Sequence, residues 1–414
     1  MENNKKPSAV ASDSPVTLAH KPDYMLAILI LILISVGLII IYSTGWITVL
    51  KQTGGSSDNN TFFYNQLISF GLGLGGWFVA SKLPYSIWRK YASYIFFGSL
   101  MLMFLVLVPG IAVSVNGATR WVKFGPINFQ PVEFFKLGIV LYVAAWIEKN
   151  RANLNKPLEG LLPIILILGL CMTLVVLLQK DMGSATVIAA TVFSMYFVSG
   201  VSIWLFLSAL GGSIMGATIL IASSRYRLAR YITFLNHTED PSGAGYHINQ
   251  ALIALGSGGI LGRGLGKTLQ AYGYLPEATN DSIFAIIGEE FGLIGCSAII
   301  AVIFLIIWRG WRIVRYAPDN YAKLVACGIT AWIGFQSFFN IAAMLGIIPL
   351  TGITLPFISY GGTSMVALLF AVGILQNISR YTKGDLPDEN RGLRRRNSRA
   401  YSTSSRGHRR PAGI

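Results

Sequence analysis

The sequence has few charged residues for its length, and this is the first constraint on what the chain can be. Only 12% of its 414 residues are Asp, Glu, Lys or Arg, whereas 53% are hydrophobic. Soluble globular chains carry about 25% charged residues. The long uncharged runs, each of about 20 residues, suffice to cross the ~30 Å hydrocarbon core of a bilayer. The composition therefore excludes a soluble domain and predicts a polytopic helical membrane protein.

Cysteine and histidine are also scarce, and their placement does not suit cross-links or metal sites. The three cysteines lie in apolar runs without paired spacing, so neither a disulfide framework nor a zinc site is predicted. The four histidines are scattered through polar segments and form no i,i+4 pair. The motifs Ser-x-x-Lys and Gly-x-Ser-x-Gly, which carry serine nucleophiles, do not occur. The sequence thus offers no recognisable covalent catalyst.

A glycine-rich run at 256–268 ends in Gly266-Lys267-Thr268, like the end of a phosphate-binding P-loop. The P-loop motif needs a further glycine at the position of Leu261, and no strand pattern precedes the run. A nucleotide site is therefore excluded. The glycines are interpreted as allowing the backbone to lie close to a neighbouring segment or to a bulky ligand.

The apolar runs predict an all-α, polytopic transmembrane helical bundle of about ten spans. The first run is full length and has no small-residue cleavage site after it, which indicates an uncleaved span and not a signal peptide. The predicted spans cover residues 24–43, 62–80, 92–110, 132–148, 162–178, 185–199, 203–222, 283–307, 322–345 and 354–378.

Basic residues assign the connections to two sides of the membrane. The N-terminal segment 1–23, the basic loops and the tail 381–414 fall on one side, which the positive-inside rule makes cytoplasmic. The membrane domain 24–380 then exposes its long loop 223–282 on the outside. Much of the net charge of +15 lies in the tail, whose composition predicts disorder and contact with anionic lipid, with no nucleic-acid partner.

Acidic residues mark the start of the eighth predicted span. Asp281 lies at the edge of the apolar run, and Glu289 and Glu290 follow inside it. Charges at membrane depth are costly and are therefore functional candidates. On a helix that already includes Asp281, Glu289 would lie roughly 80° away and Glu290 on the opposite side. Glu289 is thus the better second candidate for the site, and Glu290 is predicted to make a helix–helix contact.

Further charged residues gather on the predicted outer side. Glu133 and Lys136, three residues apart, can form an ion pair that is either structural or functional. Asp181 directly follows a lysine, and these two residues could likewise form a structural ion pair. Arg227 and its two neighbouring arginines could anchor the loop to phosphate headgroups or bind one phosphorylated ligand. Together with Arg120, these residues indicate an anionic substrate presented from the outer leaflet.

The same residues carry a resemblance to the SEDS family (shape, elongation, division and sporulation), which includes FtsW and RodA. The similarity extends from residue 24 to residue 380, and many motifs agree in order and spacing. They are Gly117-Ala118-Thr119-Arg120-Trp121, Gln130-Pro131 with Glu133 and Lys136, Gln179 with Asp181 and Gly183, Tyr226-Arg227 with Arg230, Glu239-Asp240-Pro241 with Gly245-Tyr246, Gln250 through Gly259, Leu275-Pro276-Glu277 with Asp281, Gly288-Glu289-Glu290, and Leu355 through Gly362.

The resemblance implies a peptidoglycan glycosyltransferase that polymerises lipid II at the outer face of the bacterial cytoplasmic membrane. Its implied partners are a class B penicillin-binding protein, which supplies the transpeptidase, and other divisome proteins. Gly245-Tyr246 and the segment 286–290 are more similar to division-type FtsW members than to RodA. The implied catalytic residue is Asp281. The predicted substrate-binding residues are Arg120, Gln130, Glu133, Lys136, Asp181, Arg227 and Glu289.

The chain departs from the family pattern at a few positions near these residues. Thr279-Asn280 stands where the family usually has His-Thr, Val132 where it has Ser, and Lys180 where it has Pro. Because the aspartate itself is present, the departures bear on its local hydrogen bonding and not on the chemistry.

The implied reaction needs one base, since pyrophosphate is already a good leaving group. Asp281 would take the proton of the acceptor 4-hydroxyl in a single inverting displacement. Arginines or a divalent cation, Mg²⁺ or Mn²⁺, would neutralise the pyrophosphate. The alternatives are a RodA-like elongation polymerase, a lipid II flippase, or a scaffold that activates its partner.

Overall fold

The structure, a computed structural model, is a helical bundle with one small sheet. It describes residues 20–53, 61–115, 118–124, 127–236 and 245–382, so most of the two predicted tails lies outside the described residues. The strands are β1 (Ala112–Val115), β2 (Ala118–Phe124) and β3 (Ile127–Phe129). The helices are α1 (Tyr24–Thr53), α2 (Thr61–Lys82), α3 (Tyr85–Met103), α4 (Pro131–Lys149), α5 (Leu162–Leu178), α6 (Met182–Val198), α7 (Ile203–Ala222), α8 (Arg225–Leu235), α9 (Tyr246–Ser257), α10 (Ile283–Arg315), α11 (Asn320–Met344) and α12 (Gly362–Ser379).

The described helices agree with a membrane-spanning bundle. Seven helical segments, from Tyr24–Gly45 to Gly362–Ser379, are long and apolar enough to cross a membrane, and Met182–Val198 is apolar but shorter. Helices α8 and α9 lie in the long loop, so the other ten of the twelve described helices coincide with the ten predicted spans. The helical class is confirmed, whereas the number of membrane crossings stays a prediction.

The third predicted span, 92–110, is displaced in the structure. Helix α3 begins at Tyr85, directly after Pro84, and the chain tightens into a 3₁₀ turn at Phe104–Leu107. Arg89, which precedes the predicted span, therefore lies in the first turns of α3, where its Nε is 2.8 Å from Glu148 Oε2 of α4. The hydropathy pattern missed this polar end of the helix because a paired charge extends it beyond the apolar run.

The last predicted span, 354–378, also begins too early. Helix α12 starts only at Gly362, and residues 345–361 are irregular apart from short turns. Pro356 and the positive φ of Phe357 (66°) interrupt helical geometry here. Gln66 of α2, which is buried, accepts a hydrogen bond from the N–H of Gly361 and donates one to the carbonyl of Ser359, both at 3.2 Å. These bonds replace the backbone bonds that a helix would have made.

A three-stranded antiparallel sheet, in the order β1-β2-β3, is an addition to the all-α prediction. It is formed by the connection between α3 and α4, for which the sequence analysis predicts no strands. Lys123 N–H also bonds to the carbonyl of Ile111 at 2.8 Å, which closes the sheet against the turn before it. The sheet gives β2, and hence Arg120, a fixed position.

Small residues allow α2 and α12 to pack closely in the buried core. A side chain at Gly373 of α12 would place its Cβ 2.6 Å from the carbonyl oxygen of Trp77, and one at Gly73 of α2 would place it 2.5 Å from Leu369 Cδ1. Close backbone approach at small residues is a common basis of helix association in membranes. The contact holds the irregular segment 345–361 between α2 and α11.

Helix α10 is interrupted at Gly292, whose φ of 64° and ψ of −160° are not helical. The glycine-rich segment packs against this break and exchanges hydrogen bonds with it. The N–H groups of 263–264 donate to the carbonyls of 289–290 at 2.9 Å. The N–H groups of 293–294, which a continuous helix would have used for those carbonyls, donate to the carbonyls of 259–260 at 2.9 and 3.2 Å. The break is therefore fully satisfied within the protein, as a membrane environment demands.

Glycine is required in this segment by the distances involved. A Cβ at Gly262 would lie 2.2 Å from the carbonyl oxygen of Glu290, and one at Gly258 would lie 1.9 Å from that of Gly288. Gly262 also has a positive φ of 79°. The prediction that the glycines allow close approach to a neighbouring backbone is confirmed.

Candidate functional site

Asp281 lies in a turn before α10 and not in the helix, which begins at Ile283 with Ser282 as its N-cap residue. The helical angle between Asp281 and Glu289 assumed in the sequence analysis is therefore wrong. The turn is closed by the N–H groups of Asn280 and Ser282, which donate to the carbonyl of Glu277 at 2.9 and 3.2 Å. Glu277 itself has a positive φ of 51°. The half-buried carboxylate of Asp281 is thus presented from a tight, hydrogen-bonded turn.

Asn340, near the end of α11, fixes the main chain of Asp281. Its Nδ2 donates to the carbonyl of Asp281 at 2.7 Å and to the carbonyl of Ile353 at 2.8 Å. The side chain is 1% exposed, so neither bond competes with water. One amide therefore joins the Asp281 turn to the irregular segment before α12.

The same irregular segment brings Arg120 to Asp281. Gly352 has a φ of +66°, and a Cβ built there would lie 3.5 Å from Arg120 Nη1 and 3.9 Å from Asp281 Oδ2. The guanidinium and the carboxylate thus border the same small space beside Gly352, which has no side chain to fill it. The structure brings these two predicted residues together, although they are far apart in the sequence.

Arg120 is held in place by backbone carbonyl groups. Its Nε donates to the carbonyl of Gln179 at 3.2 Å, and its Nη2 donates to the carbonyl of Lys180 at 2.7 Å. Lys180 itself has a positive φ of 53°. Two of the guanidinium nitrogens are therefore used for positioning, and Nη1 is the nitrogen nearest the Gly352 space.

Asp181 supports this region as a helix cap. Its Oδ1 accepts a hydrogen bond from the N–H of Ser184 at 3.0 Å, and its Oδ2 accepts one from the Ser184 hydroxyl at 2.9 Å. The carboxylate is buried at the first turn of α6. Its negative charge lies at the positive end of the helix dipole, which stabilises it. Asp181 thus caps α6 directly after the two residues whose carbonyls hold Arg120.

Glu133 and Lys136 form the buried ion pair that the sequence analysis left open. Lys136 Nζ lies 2.8 Å from Glu133 Oε1, and the two side chains are 3% and 5% exposed. Lys136 Nζ also donates to Gln336 Oε1 at 2.8 Å and lies 5.2 Å from the centre of the Trp332 ring. Glu133 Oε2 is buried and has no hydrogen-bond partner among the described residues. A buried carboxylate oxygen in that state is a place where a donor from a ligand would fit.

Gln336 connects this ion pair to the irregular segment before α12. Its Nε2 donates to the carbonyl of Thr354 at 3.0 Å, while its Oε1 accepts from Trp332 Nε1 at 2.7 Å as well as from Lys136. Gln336 and Asn340 are one helical turn apart on α11, so both side chains face the irregular segment. The site therefore has a buried polar layer made by α4 and α11.

Gln130 lies at the start of α4 as its N-cap residue. Its backbone N–H donates to Thr363 Oγ1 at 3.1 Å, and the same hydroxyl donates to the carbonyl of Asn128 at 3.2 Å. These contacts join the end of the sheet to the first turn of α12. Gln130 thus directly precedes α4, three residues before Glu133.

Arg227 is placed at the end of α7. Its Nε donates to the carbonyl of Leu220 at 2.7 Å, and its Nη2 donates to Ser223 Oγ at 3.3 Å. A cation at a helix C-terminus is a stabilising contact. The hydrogen bonds of Arg227 described here therefore lie at the α7–α8 corner and not beside Asp281. The side chains of Tyr226 and Arg230 lie outside the described part of the chain.

Glu289 is buried and turned toward the loop before Asp281. Its carboxylate accepts hydrogen bonds from the N–H groups of Leu269 (2.8 Å) and Gln270 (3.2 Å) and from the Thr268 hydroxyl. Arg263 Nη1 lies 3.8 Å from Oε1. Both oxygens are thus committed to folding the loop, which places Glu289 behind the site and not beside the Asp281 carboxylate.

Glu290 accepts from the N–H of Gly266 at 2.9 Å and from Ser43 Oγ of α1 at 3.3 Å. The predicted helix–helix contact of Glu290 is therefore present. Together, the two glutamates fix the loop that carries the Asp281 turn.

Several residues of the site could not be selected from the sequence. Ser282 donates its hydroxyl hydrogen to the carbonyl of Pro276 at 2.8 Å, and its oxygen lies 2.7 Å from His247 Nε2 and 3.5 Å from Asp281 Oδ1. The only sequence signal for Gln336 and Asn340 was the i,i+4 spacing of two amides in an apolar run.

The described residues contain no group of three or more His, Cys, Asp or Glu side chains that could hold a metal ion. Mg²⁺ is commonly bound by one or two carboxylates together with substrate phosphates. At this site the Asp281 carboxylate, which borders the small space at Gly352, would be the one to hold such a cation.

Comparison with known proteins places this arrangement in a family. The family model described as "Cell cycle protein", which covers FtsW, RodA and SpoVE, matches residues 23–384. The chain is 38% identical over 371 residues to stage V sporulation protein E of Bacillus subtilis, covering 89% of this chain and 99% of the relative. It is also 38% identical over 357 residues to a Trichlorobacter lovleyi protein named "Probable peptidoglycan glycosyltransferase FtsW", covering 86% and 93%.

Solved structures show the same fold. A chain of a peptidoglycan synthase complex, described for its coordination of polymerization and crosslinking, superposes with a TM-score of 0.69 at 25% identity, covering 88% of this chain and 99% of that chain. The rod shape determining protein RodA of Thermus thermophilus gives a TM-score of 0.61 at 26% identity, with coverage of 88% and 98%. The chain therefore belongs to the SEDS family of multi-pass membrane proteins, with FtsW and SpoVE among its similar relatives.

Proposed function

We propose that this chain is a peptidoglycan glycosyltransferase that polymerises lipid II into β1,4-linked glycan at the outer face of the bacterial cytoplasmic membrane, with Asp281 as general base. The glycosyltransferase class is supported by relatives of that name at 38% and 37% identity. The observation that carries the mechanism is the small space at Gly352, which the Asp281 carboxylate and the Arg120 guanidinium border together.

The two groups suit the two halves of a glycosyl transfer. The 4-hydroxyl oxygen of the acceptor sugar attacks the anomeric carbon of the donor, and its proton passes to Asp281 as the new carbon–oxygen bond forms. The bond between the anomeric carbon and the pyrophosphate oxygen breaks, and lipid pyrophosphate leaves with the electron pair. Arg120 Nη1 is placed to neutralise charge that develops on that leaving group. A single displacement inverts the donor configuration from α to β.

The buried polar layer has a separate part in the proposal. Lys136 keeps a cation within the protein beneath the site, and Glu133 Oε2 offers an unused acceptor to a hydroxyl or amide of the substrate. Gln130 and Asp181 belong to the walls that position these groups. Glu289 and Arg227 are assigned to the loop and to the α7–α8 corner, since their contacts lie there.

The division-type role is supported by relatives named FtsW at 38% and 37% identity. We accordingly propose a class B penicillin-binding protein and other divisome proteins as partners. The proposed orientation places both termini in the cytoplasm and Asp281 outside. The proposed domains stay those of the sequence analysis, with the membrane domain at 24–380 and its long outer loop at 223–282.

The test is polymerisation of labelled lipid II by the purified protein together with its partner in lipid. Asp281→Asn and Asp281→Ala are expected to lose about 10²- to 10⁴-fold in rate, because a positioned general base contributes that much. Glu277→Gln is the matched control, since it removes an exposed carboxylate from the same turn and leaves Asp281 intact. Its rate should stay within about twofold of the wild type, as for surface changes outside the site.

Thermal unfolding and co-purification with the partner must be unchanged in the Asp281 variants for the rates to be interpretable. Polymer formation at the wild-type rate by Asp281→Asn would rule out the proposed base. Lipid II transfer between leaflets of proteoliposomes, measured in parallel, distinguishes a flippase: transfer without polymerisation by the wild type would replace the enzyme proposal.

A further inference from the structure

A polar cavity lies at the end of α10 remote from Asp281. It has a volume of about 140 Å³ and opens between the start of α1, the last turns of α10 and the end of α12. The segment before α1 crosses the end of α12, where His20 N–H donates to the carbonyl of Arg380 at 2.8 Å and Asp23 N–H donates to Ser379 Oγ at 3.0 Å. The cavity is therefore built by three elements that are tied together, and it is distinct from the proposed catalytic site.

Cations outnumber anions in the cavity wall. Lys21, Arg309 and Arg312 line it, and the one carboxylate among its lining residues is that of Asp23. Asp23 is already committed, because its Oδ2 lies 2.6 Å from Arg309 Nη2 and its Oδ1 accepts from the N–H of Leu26 at 3.1 Å. The ends of α10 and α12 add partial negative charge and the start of α1 adds partial positive charge, each about half an elementary charge. The balance stays positive.

The guanidinium groups are the part of the lining that is suited to phosphate oxygens. The hydroxyl hydrogens of Ser379 and Thr382 are already donated to the carbonyls of Gln376 and Ser379 at 2.7 and 3.1 Å. Guanidinium groups are common ligands of phosphate in proteins because their planar fork can bind two oxygens at once. Arg309 is fixed by its ion pair, so part of this lining is preorganised, which lowers the cost of binding.

Exposed aromatic residues mark the level of this cavity in the membrane. Tyr24, Trp308, Trp311 and Tyr316 are all exposed around it. Tryptophan and tyrosine are enriched at the boundary between lipid tails and water, where phospholipid phosphates also lie. A phosphate at this depth would be held by a lipid more readily than by a soluble molecule.

We infer that this cavity is a binding site for a phosphate group, supplied by the headgroup of an anionic phospholipid, on the membrane face opposite to Asp281. In the proposed orientation that face is cytoplasmic. The inference does not depend on the glycosyltransferase proposal, since it concerns different residues at the other end of α10.

The test measures thermal unfolding of the full-length protein in phosphatidylcholine nanodiscs with increasing fractions of phosphatidylglycerol. A ligand that binds only the folded state raises Tm. Wild-type Tm is expected to rise and saturate. Arg312→Gln and Lys21→Gln should each need about tenfold more phosphatidylglycerol, the loss of roughly one charge-assisted contact. Arg315→Gln is the matched control on the same helix, because Arg315 does not line the cavity, and it should behave as wild type.

A second arm adds inorganic phosphate to protein in phosphatidylcholine alone. A Tm rise with phosphate that is lost in Arg312→Gln supports the phosphate chemistry with a soluble source, and a rise with phosphatidylglycerol alone supports the lipid source. An absent rise in both arms overturns the inference, as does an equal loss in Arg315→Gln, which would indicate general surface attraction. Binding that appears only after Asp385, Asp388 and Glu389 are replaced by amides would overturn it in favour of the chain's own acidic segment.

Discussion

Replacing Asn340 by alanine tests whether the main chain of Asp281 must be held in place for activity. The substitution removes both hydrogen bonds that join the carbonyls of Asp281 and Ile353 through one buried amide. Each buried carbonyl left without a donor costs about 1–3 kcal/mol. The unfolding free energy should therefore fall by roughly 2–6 kcal/mol if the turn stays where it is, and by less if the turn moves to find another partner.

Movement of the turn relieves the stability loss but displaces the carboxylate. A misplacement of about 1 Å at a reacting group can cost about 10²-fold in rate. Asn340→Ala is thus expected to lower lipid II polymerisation by one to two orders of magnitude, about 10- to 10²-fold, while the protein remains folded and associated with its partner. The rate is measured with labelled lipid II and the stability by thermal unfolding of the same preparation.

Asn377 provides a matched control because it makes a comparable contact away from the site. It is also 1% exposed, its Nδ2 donates to the carbonyl of Ser81 at 2.9 Å, and its Oδ1 accepts from the N–H of Tyr85 at 3.0 Å. Asn377→Ala should lose a similar amount of stability and keep its activity. The positioning argument fails if the two variants lose activity equally, or if Asn340→Ala polymerises like the wild type.

Three further predictions concern the buried ion pair, the glycine-rich segment and Arg120. Glu133→Gln or Lys136→Met alone should destabilise the protein by about 3–5 kcal/mol, because each leaves an unpaired buried charge. The combined variant should recover stability but not polymerisation. Recovery of both stability and polymerisation would show the pair to be structural. Gly262→Ala should lower Tm more than Gly259→Ala, because both have positive φ but only the former would meet a carbonyl oxygen at 2.2 Å. Arg120→Lys should reduce polymerisation about tenfold, since lysine cannot hold two carbonyls and still face the substrate; an unchanged rate with unchanged stability would remove Arg120 from the site.

The helices could be predicted because each apolar run has the length of a span, but their ends could not. Helix α3 starts seven residues before its predicted span, at Tyr85, because Pro84 begins it and a paired arginine is tolerated in its early turns. Helix α12 starts late because Gln66 supplies hydrogen bonds to a non-helical segment. Hydropathy reports burial of side chains and is insensitive to a remote amide that satisfies a backbone.

The candidate site could likewise be predicted from the sequence only in part. Asp281 could be selected as an acid at the edge of an apolar run, and Arg120 as a cation on the same side. Their meeting at Gly352 could not, since it depends on three irregular segments folding onto one another. The contacts of Glu289 could not be predicted, because the periodicity argument assumed a helix that already includes Asp281, whereas α10 begins at Ile283. Backbone N–H groups are among the partners of Glu289, and these leave no trace in a sequence.

The distribution of polar groups bears on the choice between an enzyme and a flippase. A path for a phosphorylated headgroup needs polar side chains through the membrane midplane. In this chain α10 carries no charged residue between Gly292 and Arg309, and α11 carries none after Lys323. Gln336 and Asn340, the amides that extend the site downward, lie within the last turns of α11 and are occupied by Lys136, Thr354 and Asp281. The polar groups of the candidate site lie near one end of the bundle and do not continue along α10 and α11, which suits a reaction at one membrane face and supports the chemistry proposed there.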